Sequence, residues 1–396
     1  MAKKTSRRLT RIFLLFFKSE SVSGLIVIIC TLISLWLANT GFGNDYNNFW
    51  YSRVNLSFYK IDLNYSVQEW INNALMAVFF LMVGLEIERE LYIGELSDFK
   101  NALLPIVAAV GGMTVPALIH FSFNHGTATQ PGAGIPMATD IAFSLGALSL
   151  LGRKVPSSIK IFLTALAIID DIGAVIVIAI FYNKEISTLY LAISLGIFVF
   201  MLVLNRLNVY KIWIYLVAGV LMWYFLLRSG VHATISGILI AFAIPFRKND
   251  QINPSYKLQL ALHKPVNYFI IPLFALANTG IQVGTNWQKE VYSRNNLGIV
   301  AGLFIGKATG IYLFSRIAVA LKWCKLPENS NWKILLATGI LGGIGFTMSI
   351  FITNLAFDGN PHLIGSSKIA VLVGSLLSGI VGLFVLYLSC RKNYDV

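Results

Sequence analysis

Apolar runs of about membrane-crossing length, separated by short polar, proline or glycine breaks, dominate the chain. They fall near residues 22–39, 68–87, 103–123, 134–151, 158–182, 187–204, 211–227, 231–246, 266–281, 297–317, 333–355 and 366–388. A hydrocarbon core of about 30 Å demands runs of this kind, because lipid leaves each backbone amide to be satisfied within its own helix. The pattern predicts an all-α membrane protein of about twelve transmembrane helices. One connecting stretch reads differently: between residues 39 and 66, Val54, Leu56 and Phe58 alternate with polar residues, and Ile61 and Leu63 do likewise. That alternation predicts a small β-hairpin. No low-complexity linker appears, so residues 1–396 read as a single polytopic domain with a basic segment at 1–21 and a short tail at 389–396.

Two of the runs are interrupted. The fourth reads PGAGIPMATDIAFSLGALSLL, with Pro136 and the polar pair Thr139 and Asp140 at its middle. The eleventh reads ATGILGGIGFTMSIFI, where Gly342, Gly343 and Gly345 each weaken a helix by about 1 kcal/mol relative to alanine. Glycines also let membrane helices pack closely. Broken helices in both halves of one chain fit an ion site better, because irregular backbone at bilayer depth is tolerated only where protein or water surrounds it.

Composition sharpens this picture. Of 396 residues, 56% are hydrophobic and 12% charged, about half the charge of an ordinary soluble domain. The formal charge of +13 does not indicate nucleic acid, because the basic residues lie in short segments between apolar runs. With both termini inside, 23 of the 31 lysines and arginines fall on the cytoplasmic side, seven outside and Lys307 within the membrane. That bias predicts cytoplasmic termini and an even number of spans. The basic start followed by a long apolar run with no small-residue cleavage site reads as a retained first helix. Cys30, Cys324 and Cys390 have no paired or metal-type spacing and read as free thiols.

Charges inside the spans are few: Asp140 in the fourth, Asp170 and Asp171 in the fifth, and Lys307 in the tenth. Each costs about 2.5–3.5 kcal/mol at mid-bilayer on insertion scales, so four of them need a compensating role. A buried ion-pair network that only holds helices together is the plainer alternative, but such a pair seldom outperforms apolar packing. Asp170 and Asp171 diverge by about 100° on a helix and must face different partners. One can meet Lys307 while the other joins the Thr139 hydroxyl, the Asp140 carboxylate and freed carbonyls around a cation. Hard oxygen ligands of this kind suit sodium or lithium. Neighbouring carboxylates in a partly dry site hold protons or a sodium ion but seldom both, which is the basis of antiport. Lys307 offsets one carboxylate and is expected where the broken eleventh span ends in partial negative charge.

Around these residues the chain resembles the NhaA-type bacterial sodium/proton antiporters over nearly its whole length. The strings that carry the resemblance are WINNALMAVFFLMVGLEIERE at 70–90, IPMATDIAFSLGALSLLG at 135–152, KIFLTALAIIDDIGA at 160–174, SGVHATISG at 229–237, AGLFIGKATGI at 301–311 and GILGGIGFTMSIFI at 339–352. The resemblance implies twelve helices with inverted repeats whose two interrupted helices cross near the bilayer midplane. It implies a sodium and proton site at Asp170 and Asp171, with Asp171 the sodium ligand and Asp170 the partner of Lys307, and Thr139 and Asp140 lining and balancing the crossing. It further implies electrogenic exchange in a bacterial inner membrane, no cofactor, and a homodimer joined through the first outside loop.

The pattern departs from that family at positions tied to pH response. Asn73 stands where an aspartate is frequent, Glu88 replaces a basic residue, and Gln259 and Leu260 occupy positions where an acidic residue and a histidine are common. Glu86, Glu90, His232 and His263 remain as candidate pH-responsive groups. The plainer reading of Glu86 and Glu90 is solvated helix-end charge, and that of His232 is packing or hydrogen bonding. Two rival functions fit less well. An intramembrane aspartyl protease needs its two aspartates to flank one bond, which an adjacent pair cannot do. In a passive cation channel, a buried lysine beside the carboxylates would repel the permeating ion.

Overall fold

The computed structural model describes residues 22–59, 62–183, 185–247, 253–282, 284 and 290–391. Eight of the described helices are long and apolar enough to cross a bilayer: Val67–Ile93, Asn101–Asn124, Ser157–Phe181, Thr188–Arg206, Ile212–Ser229, Pro254–Asn278, Arg294–Ala320 and Pro361–Cys390. Three bent pairs raise the count to as many as eleven: Val22–Ala38 with Gly43–Tyr51 at 115°, Gln130–Met137 with Ile141–Leu150 at 41°, and Trp332–Gly342 with Phe346–Ala356 at 47°.

The expected eighth span, near 231–246, is shorter than its apolar run. Its helix is Ile235–Ala243, nine residues long and therefore about 14 Å, less than half of a hydrocarbon core. The preceding helix stops at Gly230, whose φ of 83° is left-handed, and turns fill the stretch from there to Thr234. Pro245 follows the helix end and cannot donate to it. The ninth span differs in the other direction and begins at Pro254, where the Asn253 side chain accepts the Tyr256 N–H and proline occupies the first turn. In the first outside loop, Arg53–Asn55 and Asn64–Ser66 pair antiparallel, with Val54 opposite Tyr65. Ile61, the segment 1–21 and the last five residues of the tail lie outside the described residues.

The chain divides into two compact units. One comprises Met1–Ile29, Phe99–Ala174 and Val283–Val396; the other comprises Cys30–Asp98 and Val175–Gln282. The second has a core in which Leu85, Met201, Tyr215, Met222 and Ala241 are buried together. The first centres on Ala108, Ala109, Leu166, Ile311 and Leu335, and it contains every intramembrane charge singled out above.

Close backbone approach holds the first unit together. A methyl group at Gly310 would collide with the Gly111 carbonyl, and one at Gly111 with the Gly310 carbonyl, so Asn101–Asn124 and Arg294–Ala320 pack almost backbone to backbone. Small residues permit that approach where lipid supplies no hydrophobic drive for helix association. The expected outcome of Gly310→Ala is a loss of about 1–3 kcal/mol, the usual cost of overpacking, read as a lower thermal midpoint in detergent. Gly196→Ala, at a helical glycine with open space around it, should leave that midpoint unchanged or raise it slightly.

Candidate ion site at two interrupted helices

The fourth span breaks because its first part is a 3₁₀ segment, Gln130–Met137, with Pro136 inside it, after which Ala138 adopts extended geometry. Asp140 is extended as well and becomes the N-cap of Ile141–Leu150, its side chain accepting the Phe143 N–H. The eleventh span breaks at Gly343–Gly345, between Trp332–Gly342 and Phe346–Ala356. At Gly343 a methyl group would strike the Leu303 carbonyl of the tenth span, and at Gly345 it would crowd the Ala138 carbonyl, so glycine at 345 lets the two breaks meet. They join through Asp140, whose backbone N–H donates to the Ile344 carbonyl at 2.7 Å.

Every broken helix leaves donors at one end and acceptors at the other. Here they sort by sign. The Asp140 carboxylate serves both starting ends: Oδ1 takes the Phe143 N–H at 3.0 Å, and Oδ2 takes the Thr347 N–H at 3.0 Å together with the Thr347 hydroxyl. Ser375, on Pro361–Arg391, accepts the Phe346 N–H at 3.1 Å. At the finishing ends, Lys307 Nζ donates to the Met137 carbonyl and the Thr139 hydroxyl reaches the Gly342 carbonyl at 2.8 Å. Lys307 does lie at the end of the first part of the eleventh span, its side chain against Gly342, but its ammonium bonds the carbonyl that ends the first part of the fourth, while the Thr139 hydroxyl reaches the eleventh's. Which carbonyl the lysine reaches depends on how the tenth span lies, and that is a tertiary property.

Asp170 and Lys307 are both fully buried, with Nζ 2.6 Å from Asp170 Oδ2. The same oxygen lies 2.7 Å from the Thr139 hydroxyl, while Asp170 Oδ1 has no hydrogen-bond partner among the described residues. Asp171, the next residue of the same helix, is buried too. Lys307 comes directly after a π-helical segment, Gly302–Gly306, and its N–H bonds the Gly302 carbonyl. Such segments recur at functional sites because the widened turn re-aims the side chains beyond it. With all three groups ionised, Asp170, Asp171 and Lys307 carry one negative charge in excess, and the spare oxygen of Asp170 is hard. That combination is one positive charge short of neutrality.

The structure thus brings Thr139, Asp170 and Lys307 into direct contact, with Asp171 buried one residue along the same helix as Asp170. It turns the Asp140 carboxylate to the helix starts, where both oxygens are occupied. The candidate pH-responsive groups lie in the other unit. Arg89 bridges Glu86 at 3.5 Å and Glu90 at 2.8 Å, and Glu86 is only 5% exposed, so it is not a solvated helix-end charge. His263 Nε2 lies 3.3 Å from the Asn267 amide nitrogen and must accept from it. His232 Nε2 donates to the Tyr182 carbonyl at 2.7 Å, the hydrogen-bonding role weighed for it above.

Three sets of residues were not evident from the sequence. Thr347 and Ser375 look like ordinary small polar residues of membrane helices until the break exposes N–H groups for them to hold. Glu88 is buried and accepts the Ser255 hydroxyl at 2.6 Å, which a position near a helix end did not suggest. His120, Asn295 and Ser367 form a buried polar cluster from three distant stretches, and no local spacing announces it.

The chain is similar to known proteins over nearly its whole length. The profile of the Na+/H+ antiporter 1 family matches residues 15–386. A Na+/H+ antiporter NhaA from Dechloromonas aromatica is 54% identical over 394 residues, covering 99% of each chain. A Na+/H+ antiporter NhaA 1 from Flavobacterium johnsoniae is 54% identical over 389 residues, covering 98% of this chain and all of its own. One from Citrobacter koseri is 45% identical over 370 residues, covering 93% and 95%. A match of this extent, spanning both interruptions and every intramembrane charge, shows that the chain belongs to the Na+/H+ antiporter 1 family.

Proposed function

We propose that the chain is a secondary transporter that exchanges sodium, or lithium, for protons across a bacterial inner membrane. The observation that carries this reading is the buried contact of Asp170 with Lys307 and Thr139 at the crossing of two interrupted helices, with Asp171 adjacent. The printed names of the relatives point the same way. In this reading residues 1–396 are one transporter with cytoplasmic termini, both units taking part. It has twelve spans in inverted repeats, counting the short helix Ile235–Ala243 and each bent pair as one apiece. Two copies associate through the hairpin at Arg53–Ser66, and no cofactor takes part.

The mechanism rests on charge balance. Sodium binds against Asp171, Asp170 Oδ1 and the Thr139 hydroxyl. Protons compete for the same carboxylates, and when Asp170 takes one, Lys307 loses its counter-charge and can release its own proton. Cation and protons therefore exclude one another at the site, and a site that changes its accessible side carries them in opposite directions. Asp140 takes no proton in the cycle: its charge is committed to two helix starts, which it holds in register. Exchange is electrogenic if two protons replace one sodium ion.

The direct test is sodium-driven collapse of a proton gradient in proteoliposomes. Asp171→Asn should reduce that exchange below detection while leaving insertion intact, since an amide keeps the shape but neither binds a proton nor supplies charge. Robust exchange in the variant would remove Asp171 from the mechanism.

Asp170→Asn should behave differently, because it leaves the Lys307 ammonium buried without its anion. Breaking a buried pair on one side costs about 3–5 kcal/mol. The expected result is a marked fall in thermal midpoint along with lost exchange, and an unchanged midpoint would contradict the pairing.

Competition also fixes the pH response. Raising sodium tenfold should move the activity midpoint to lower pH, by up to about one unit if one proton is displaced and about half a unit if two are. The triple variant Glu86→Gln, Glu90→Gln, His263→Gln should keep the parent profile, and a large displacement would locate the response at those residues instead.

A further inference from the structure

A second buried polar cluster lies in the same unit as the ion site, at the end of Phe99–Asn124. His120 Nε2 is 3.2 Å from Asn295 Oδ1. The Asn295 amide nitrogen donates to Ser367 Oγ at 2.7 Å and to Asn296 Oδ1 at 3.1 Å. With both amide hydrogens used, Asn295 offers His120 only an acceptor, which favours a proton on Nε2, although the Asn124 amide nitrogen also lies 3.4 Å from that atom. Asn124 donates to the His120 carbonyl at 2.9 Å and accepts the Thr129 hydroxyl at 2.7 Å, which ties in the residue just before Gln130–Met137. Asn296 continues the network to the Glu290 carbonyl at 2.7 Å. His120, Asn124, Asn295, Asn296 and Ser367 are all buried.

We infer that this network is a latch: it closes one end of the unit above the ion site and positions the two chain segments that converge on Lys307. The inference rests on the antiport reading, since only a transporter needs such an end to open. Three observations support it. The network joins the start of Gln130–Met137, whose last carbonyl receives Lys307, to the start of the helix that carries Lys307 itself. Between the network and Lys307 the helices fit closely: Gly298 abuts His120, Gly302 abuts Pro136, and Gly306 abuts Pro116. Finally, apolar packing would hold these helices at least as well, so five buried polar side chains imply a further role. A hydrogen-bonded closure can exchange its partners for water when it opens. An apolar one has no such replacement.

The test uses the full chain in sealed, oriented vesicles, with its three cysteines replaced by serine and Ala133→Cys introduced in the half-buried stretch between the network and Met137. A membrane-impermeant maleimide is applied from each side. Labelling from the side opposite the termini should be slow in this parent and several-fold faster in His120→Ala and in Asn295→Ala. The double variant should be no faster than either alone, because both remove one contact. His120→Gln, which can still donate to Asn295, should keep the slow rate, and Ser367→Ala should give an intermediate one. Should either alanine variant fail to fold, the glutamine and serine variants carry the test. Unchanged rates would overturn the latch, as would an equal rise from both sides, which marks mere loosening. Sodium–proton exchange by the parent, measured in the same vesicles, tests the transport reading separately from the labelling.

Discussion

A charge removed from water must be balanced within a few ångströms, and in this protein that constraint organises the centre of one unit. Interrupting a helix at bilayer depth exposes N–H groups on one side of the break and carbonyls on the other, and lipid can satisfy neither. Two interruptions that meet face to face sort these groups by sign. Asp140 answers both sets of donors, while Lys307 and the Thr139 hydroxyl answer the carbonyls. With those four contacts made, the Lys307 ammonium pairs directly with the Asp170 carboxylate at 2.6 Å. The buried pairing of Asp170 with Lys307 is thus a consequence of the crossing.

This arrangement also explains why the crossing can be both stable and responsive. Asp140 is held by backbone N–H groups, whose charge cannot change with pH or ion concentration. Asp170 takes the Lys307 ammonium on one oxygen, where the Thr139 hydroxyl has a single proton to share between it and the Gly342 carbonyl, and the other oxygen is without a partner among the described residues. The first carboxylate is fixed by its partners, and the second keeps capacity for a proton or a cation. Two residues of identical chemistry acquire different duties from their neighbours, as pairs of carboxylates commonly do where environments diverge.

Much of this is legible in the chain, for reasons that are local. An apolar run must be helical in lipid, so most spans can be read directly; Pro136 with Thr139 and Asp140, and the three glycines at 342–345, mark the breaks because each opposes helix continuation on its own. Intramembrane charges are conspicuous against an apolar background. What could not be read depends on how distant segments meet. The helix Ile235–Ala243 is shorter than its apolar run because a turn at Gly230 consumes the residues before it. Lys307 could not be assigned to the Met137 carbonyl from spacing, nor Asp140 to Thr347, since 170 and 207 residues separate the partners. His120 and Asn295, 175 residues apart, have no sequence signature at all.

The central claim is that sodium and protons compete for the same buried carboxylates. Proton release from the purified protein on addition of sodium, at fixed pH in weakly buffered detergent solution, tests it without reference to membranes, gradients or sidedness. The account predicts saturable release on adding sodium, none on adding a large organic cation, and smaller release as the starting pH rises and the carboxylates empty. Sodium binding with no proton release at any pH would contradict it.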